Sequence, residues 1–321
     1  MTEQFSFSPA DQSFIQDHTT LRNGETRLGQ VVQAYSTETT CRYVILGIEE
    51  SVGPALNLGL TGAEHAFKAF LKRFLNMQSN DYLSGVDIMI AGTISISSNA
   101  SFDNKSIEAL DNLVESVLHP FVCQGITPIV IGGGHNNALP IIRAISKATD
   151  SKLGIINMDP HGDCRTTEKR HSGNSFSFGF QEDLISYYSV IGLHPQYNNV
   201  HILNFLKDNK CDFTLFDDYL LGKRDLLTDL YDEKSHLESI DHFGIELDLD
   251  AIQGMPSSAF TPSGFSLNEG RMYVKTLANS SKCRYLHLPE GAPCNEQEEK
   301  IVGKALAYLV WDFIEAHHRN C

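Results

Sequence analysis

L-G-I-I-N-M-D-P-H-G-D-C-R, residues 153–165, carries both a strand and the start of a site. The apolar run Leu153–Met158 ends in three residues of types that bind metal ions, Asp159, His161 and Asp163, at alternate positions. In extended backbone successive side chains point to opposite faces, so residues two apart share a face and these three can converge on one point. A second row, Asp248 and Asp250, ends another apolar segment, and His135 follows the apolar run Pro128–Ile131 through Gly132, Gly133 and Gly134. Four carboxylates and two imidazoles at three strand exits suit two divalent ions better than one.

Outward from this stretch short apolar runs recur. Buried strands are predicted over Arg42–Ile48, Asp87–Ala91, Pro128–Ile131, Leu153–Met158, Tyr188–Gly192, Phe213–Phe216, His242–Leu247 and Arg284–Leu288. Helices are predicted near Glu64–Asn76, Asp103–Gln124, Asn137–Ala148, Asn198–Asp208, Gly222–Leu237, from about Ser266, and over Glu296–His318. Strands alternating with helices imply right-handed crossovers and an α/β fold, a mostly parallel β-sheet with helices on both faces. In such sheets ligands bind beyond the carboxyl ends of the strands, where all six candidate ligands fall. Residues 1–40 read as a polar N-terminal surface segment with one short helix, and 41–321 as a single catalytic domain, since no repeat or Pro- or Ser-rich linker divides them.

A 321-residue chain that is 41% apolar and 20% charged has the composition of a soluble globular protein. Its net charge of −15 argues against nucleic acid and anionic membrane surfaces as partners. With no basic and apolar leader and no run of about 18 apolar residues, the expected location is cytoplasmic. The cysteines, at 41, 123, 164, 211, 283, 294 and 321, include no C-x-x-C pair, which fits neither a disulfide framework nor a zinc–thiolate cluster. Cys164, between Asp163 and Arg165, should face away from the ligand row.

A histidine after three glycines, or an isolated D-x-D, is by itself ordinary turn or surface chemistry. Three strands that each deliver acid or imidazole to the same edge of an apolar sheet are not, because unpaired buried charge is costly. Carboxylate-rich ligation with two imidazoles and no thiolate favours manganese over zinc. Two such ions about 3.5–4 Å apart would bridge a water and make hydroxide available near neutral pH. Other catalytic plans fit poorly: there is no G-x-S-x-G elbow, P-loop or G-x-G-x-x-G after the first strand. The polar loop R-T-T-E-K-R-H-S-G-N-S-F after the ligand row is where specificity would live, and His171 within it can touch substrate.

These residues resemble the ureohydrolase superfamily of arginases, agmatinases and formimidoylglutamases. The family pattern G-G-x-H, D-A-H-x-D and S-x-D-x-D stands here as G-G-G-H ending at 135, D-P-H-G-D over 159–163 and E-L-D-L-D over 246–250, within a resemblance from about residue 45 to 295. It implies an arginase-like fold in which His135, Asp159, His161, Asp163, Asp248 and Asp250 hold two Mn(2+) ions. A metal-bridging hydroxide then attacks the trigonal carbon of an amidine or guanidine. By the same resemblance Asp163 also assists proton transfer to the leaving nitrogen, and Glu290, in H-L-P-E-G-A-P, pairs with the substrate's cationic group.

G-I-E-E-S-V-G-P-A-L-N-L-G-L-T-G-A and D-C-R look like the formimidoylglutamase versions of their loops. Arg165 stands where arginases usually carry asparagine, and a guanidinium there can fork onto a carboxylate of a glutamate-derived substrate. Its alternative is a structural ion pair. Ser172, Gly173 and Asn174 resemble the arginase loop that holds an α-amino acid, which makes His171, Ser172 and Asn174 substrate-binding candidates beside Arg165. Phe176, however, occupies the place of the arginase histidine proton shuttle, and Glu246 that of a serine. The resemblance therefore implies hydrolysis of N-formimidoyl-L-glutamate to L-glutamate and formamide in histidine degradation, by a homo-oligomer. Alternatives are another ureohydrolase (arginase, agmatinase or guanidino-acid hydrolase) or a metal-free regulatory homologue.

Overall fold

The apolar runs pair side by side, as their two-sided burial requires. The computed structural model describes residues 4–97 and 102–318. Among these, nine strands form one sheet: β1 (Phe5–Pro9), β2 (Tyr43–Glu49), β3 (Ile88–Ile96), β4 (Thr127–Ile131), β5 (Leu153–Met158), β6 (Ile185–Leu193), β7 (Asp212–Leu215), β8 (Phe243–Leu247) and β9 (Cys283–Leu288). Their order is β1-β3-β2-β4-β9-β8-β5-β6-β7, with every pairing parallel except β1 against β3. The chain forms one α/β domain of the predicted class.

Neighbouring residues of each strand bury on opposite faces. On β5, Leu153 and Ile155 pack into one core while Ile156 and Met158 pack into the other. The first core lies under helices Asn104–Cys123 and Ala138–Thr149, the second under Ala66–Phe74, Leu267–Ala278 and Glu296–His318. The long helix Asn104–Cys123 begins at an Asp103 side chain that accepts from the Ser106 N–H, and Leu267–Ala278 begins in a Ser266/Glu269 capping box.

Two predicted elements are corrected. Residues 1–40 hold an edge strand as well as the short helix Gln12–Asp17. β1 was hidden because its F-S-F-S-P alternation is too brief to register, and because Pro9 suits only an edge. Gly92, at φ +127°, lets it dock, since a Cβ there would lie 2.1 Å from the Ser8 carbonyl oxygen. The helix predicted over Gly222–Leu237 begins only at Leu226, and a separate short helix, Phe216–Leu220, precedes it, with Gly222 at φ +65° between them.

β4 and β5 follow one another in the chain but are separated in the sheet by β9 and β8. At this reversal the loops leaving four adjacent strands, β4, β9, β8 and β5, open onto one crevice. They carry His135, Glu290, Asp248 with Asp250, and Asp159 with His161 and Asp163 respectively.

His317 ties the terminal helix to the sheet, its ring lying 3.1 Å from Tyr43 Oη of β2 and 3.2 Å from the Cys283 carbonyl of β9. Burial pushes its imidazole down to about 4. The folded value lies below the unfolded value of about 6.5, so the neutral ring stabilises the fold above that pH and the contribution is lost as pH falls toward 4. At about 1.4 kcal/mol per unit, the loss is at most ~3.5 kcal/mol. In urea denaturation, His317→Leu should start less stable but lose ~2 kcal/mol less than wild type between pH 7 and about 4.5. Equal losses in the two proteins would contradict this assignment.

Candidate active site

The two ligand rows meet around His135. Its Nδ1 lies 3.0 Å from Asp163 Oδ2, 3.0 Å from Asp248 Oδ2 and 3.3 Å from Asp159 Oδ2. Donor atoms of these four buried residues all lie within 4.8 Å of one another, close enough to hold a metal ion. Asp159 turns its other oxygen toward His161, whose Nδ1 is 3.3 Å from Oδ1 and 3.9 Å from Asp250 Oδ2. Asp159 thus faces both imidazoles. A second group that could hold an ion, His135, Glu246 and His287, lies deeper.

The local backbone is less regular than simple alternation. Asp163 has φ +44°, and Asp248 caps the short 3-10 turn Leu249–Ala251 instead of continuing β8. The carboxylates are aimed by donated hydrogen bonds: the His161 N–H to Asp159 Oδ1 (2.7 Å), Asn157 Nδ2 to Asp159 Oδ2 (3.0 Å), the Asp250 N–H to Asp248 Oδ1 (2.7 Å) and the Ala259 N–H to Asp250 Oδ1 (3.0 Å). Gly132 and Gly133, at φ +81° and +64°, turn the chain from β4 to His135. A Cβ on Gly133 would strike Asn137 and the buried Glu50 carboxylate, which accepts from the Gly134 N–H at 2.8 Å.

Burial and crowding dominate the electrostatics. Desolvation, joined by the charge of neighbouring carboxylates, raises Asp163 and Asp248 above their ordinary values. Burial likewise raises Asp250, with Asp159 adding to it. Burial alone would lower His161, but Asp159, Asp250 and Asp163 outweigh it and hold its imidazolium at about 10. Glu290 is pushed up to about 8 by burial and by Asp250. So many buried carboxylates are short of positive charge, and the oxygen-rich donor set with two imidazoles fits divalent cations. The residues present therefore fit the metal ions that their pattern implies.

Beside the donors is a cavity of about 320 Å³ whose wall includes Asn57, His161, Asp163, Arg165, Ser172, Tyr197, Asp248, Asp250 and Glu290. Glu290 is buried rather than solvated, at φ +69°; Oε1 accepts from the His135 N–H at 2.6 Å, while Oε2 has no hydrogen-bond partner among the described residues. Arg165 is exposed on the wall, its backbone N–H bonded to the Gly173 carbonyl at 3.0 Å, and its guanidinium makes no ion pair among the described residues. Ser172 lies on the wall beside Asn57, which donates to its Oγ at 3.2 Å.

His171 and Asn174 lie apart from this cavity. His171 Nδ1 accepts from the Gly173 N–H, and Asn174 Nδ2 donates to the Thr166 and Lys169 carbonyls. Both stabilise the loop, because a short turn satisfies its own polar groups first. Cys164 is fully buried with its thiol pushed well up by burial, which suits packing and not nucleophilic attack. Phe176 packs edge-on against His135, with ring centroids 5.3 Å apart. Asn57 and Tyr197 escaped the sequence reading because they enter the cavity from loops remote from the ligand motifs.

The pattern and geometry agree with a direct comparison: residues 43–315 match the model of the arginase family. The chain belongs to that family. Within it, it is formimidoylglutamase-like. It is 23% identical over 319 residues to the formimidoylglutamase of Geobacillus sp. (strain WCH70), covering 98% of this chain and 94% of that one. The Macrococcus caseolyticus formimidoylglutamase is 25% identical over 307 residues, covering 92% and 90%. The arginase-family fold is shared with Bacillus subtilis formimidoylglutamase, at a TM-score of 0.81 and 16% identity over 94% of this chain and 95% of that one. It is shared too with Trypanosoma cruzi formiminoglutamase with Mn2+, at 0.74 and 22% over 90% and 98%.

If Asp159 serves both imidazole corners, Asp159→Asn should lower the metal content of protein prepared with manganese to well under half that of wild type, while circular dichroism stays unchanged. Elemental analysis per chain is the measurement. Full metal content in this variant would show that Asp159 is not a ligand.

Proposed function

We propose that this arginase-family protein is a binuclear manganese amidinohydrolase that cleaves N-formimidoyl-L-glutamate to L-glutamate and formamide. The observation that carries the reading is Arg165: a guanidinium without an ion-pair partner among the described residues stands on the wall of the cavity that also presents Asp163 and Glu290. The formimidoylglutamase relatives support it. His135, Asp159, His161, Asp163, Asp248 and Asp250 would hold the ions. When bound, two Mn(2+) ions supply Lewis acidity and activate water at neutral pH.

The chain's own residues do the rest. Glu290 presents the free Oε2 to the amidine, where a buried carboxylate accepts N–H bonds and keeps that end of the substrate cationic. Arg165 forks onto a carboxylate at the other end, so the reactive carbon is held between two charged anchors. Asp163, on the same wall, is the carboxylate placed to hand a proton to the leaving nitrogen. With Phe176 buried against His135, no histidine stands at that position to shuttle protons as in arginases.

A hydrogen bond to a charged group contributes roughly 1.5–3 kcal/mol, and ~1.4 kcal/mol is tenfold, so Arg165→Ala should lower kcat/KM for formimidoyl-glutamate about ten- to a hundredfold or somewhat more. Metal content should not change, Arg165→Lys should recover only part of the rate, and activity on agmatine, which has no carboxylate, should show no comparable loss. The measurement is a substrate panel with Mn(2+), following formamide, ammonia and urea. Wild-type turnover of guanidines but not of formimidoyl-glutamate would redirect the reading to another ureohydrolase.

A further inference from the structure

Below the ligand layer the sheet carries a second polar layer that the reaction itself does not use. In the registers of β5, β8 and β9, Asn157 lies beside Glu246 and Glu246 beside His287, on one face of the sheet. All three are fully buried, within an otherwise apolar face. Polar groups so placed are costly unless each has a partner, and their partners run upward: Asn157 donates to Asp159, while Glu246 faces His135.

Glu246 Oε1 accepts from Tyr285 Oη at 2.7 Å, and Oε2 lies 2.6 Å from His287 Nδ1 and 3.3 Å from His135 Nε2. His135 Nε2 is buried and makes no regular hydrogen bond among the described residues, so the Glu246 carboxylate oxygen 3.3 Å away is the acceptor it faces. The same three side chains could also be read as an ion site. The 2.6 Å separation decides against it. Donors on one ion, with bonds of about 2.0–2.1 Å at tetrahedral angles, stand ~3.3 Å apart, whereas 2.6 Å is the length of a charge-assisted N–H···O bond.

We propose that Glu246 is a positioning residue that places the proton of His135 on Nε2, leaving the Nδ1 lone pair to the metal corner formed with Asp163 and Asp248. This rests on the metal-site reading above. An imidazole can offer a lone pair to an ion only from its unprotonated nitrogen, and the acceptor on the far nitrogen determines which one that is. Serine, the residue at this place in the family pattern, could serve as donor or acceptor. A carboxylate held by Tyr285 and His287 can only accept. Glu246 would therefore act on one of the two ions: His135 belongs to the corner with Asp163, whereas His161 and Asp250 form the other and, among the described residues, make no hydrogen bond or ion pair with Glu246.

The test is manganese titration of the metal-stripped full chain, with free ion followed by electron paramagnetic resonance, for wild type, Glu246→Gln and Glu246→Leu. Loss of such an outer partner typically lowers affinity about 10- to 100-fold. Glu246→Leu should weaken one ion by that factor and leave the other within about threefold, giving an isolated-ion spectrum where wild type gives a coupled pair. Glu246→Gln, which keeps an acceptor oxygen but loses the charge, should fall between. If the leucine variant does not fold, the glutamine variant and wild type still decide. Wild-type affinities for both ions in a folded Glu246→Gln, or equal weakening of both, would overturn the role of Glu246 alone. A wild-type protein that takes up no manganese would overturn the metal reading on which it rests.

Discussion

The repulsion among Asp159, Asp163, Asp248 and Asp250, gathered where water is largely excluded, is the constraint on which the rest of this structure depends. At an effective dielectric of about 20, two unit charges 4 Å apart already interact by ~4 kcal/mol. Such a group persists only if the scaffold forces it and positive charge compensates it. The scaffold is the sheet, because β4, β9, β8 and β5 lie side by side and their carboxyl ends cannot separate without breaking the ladder. Compensation comes first from His135 and His161, whose imidazoles the carboxylates favour in the charged form. Divalent ions would complete it.

Around that centre the molecule divides into a dry side and a wetter one. Beneath it, inside an apolar face, Glu246 accepts from Tyr285 and pairs with His287, while Asn157 donates upward to Asp159. Farther out, Asp111 and Arg170 make a buried two-bond ion pair, and Arg170 also donates to the Asn136 carbonyl beside His135. None of these groups lines the cavity, and buried, hydrogen-bonded neighbours of this kind hold side chains still, which metal chemistry requires to fractions of an ångström. Above the centre, Arg165, Asn57, Ser172 and Tyr197 come from loops. Loops tolerate change that a ligand layer cannot, so relatives near 23% identity keep the arginase-family fold while specificity is left to loop residues.

Glu290 links the two sides. Its backbone carbonyl accepts from the Ser258 N–H, its own N–H donates to the Gly133 carbonyl, and one carboxylate oxygen caps the His135 N–H. The remaining oxygen is buried and unpartnered among the described residues, at a left-handed φ of +69°. Strain and an unsatisfied acceptor at one residue are costs that a purely structural carboxylate would shed, and both suit a group reserved for a ligand.

What the sequence by itself determined are the properties that depend on neighbours along the chain. The apolar run Leu153–Met158 determined a buried strand, the boundaries of Glu296–His318 were readable from its periodicity, and the D-x-H-x-D and D-x-D spacings with the G-G-G-H run identified the six candidate ligands. Boundaries elsewhere moved by a few residues because helix and strand ends are set by caps and by pairing partners. β1 was missed for the same reason, since an edge strand becomes a strand only against β3. Tertiary structure alone decided which of the polar residues meet. It brought Tyr285 and His287 of β9 against Glu246 of β8, giving partners to a carboxylate whose role was open in the sequence. It set His171 and Asn174 within the loop's own hydrogen bonds, buried Glu290, and left Arg165 on the cavity wall without an ion pair among the described residues. Those outcomes follow from strand order and loop path, and neither is written in local spacing, because the order of strands in a sheet is the result of which faces bury best together.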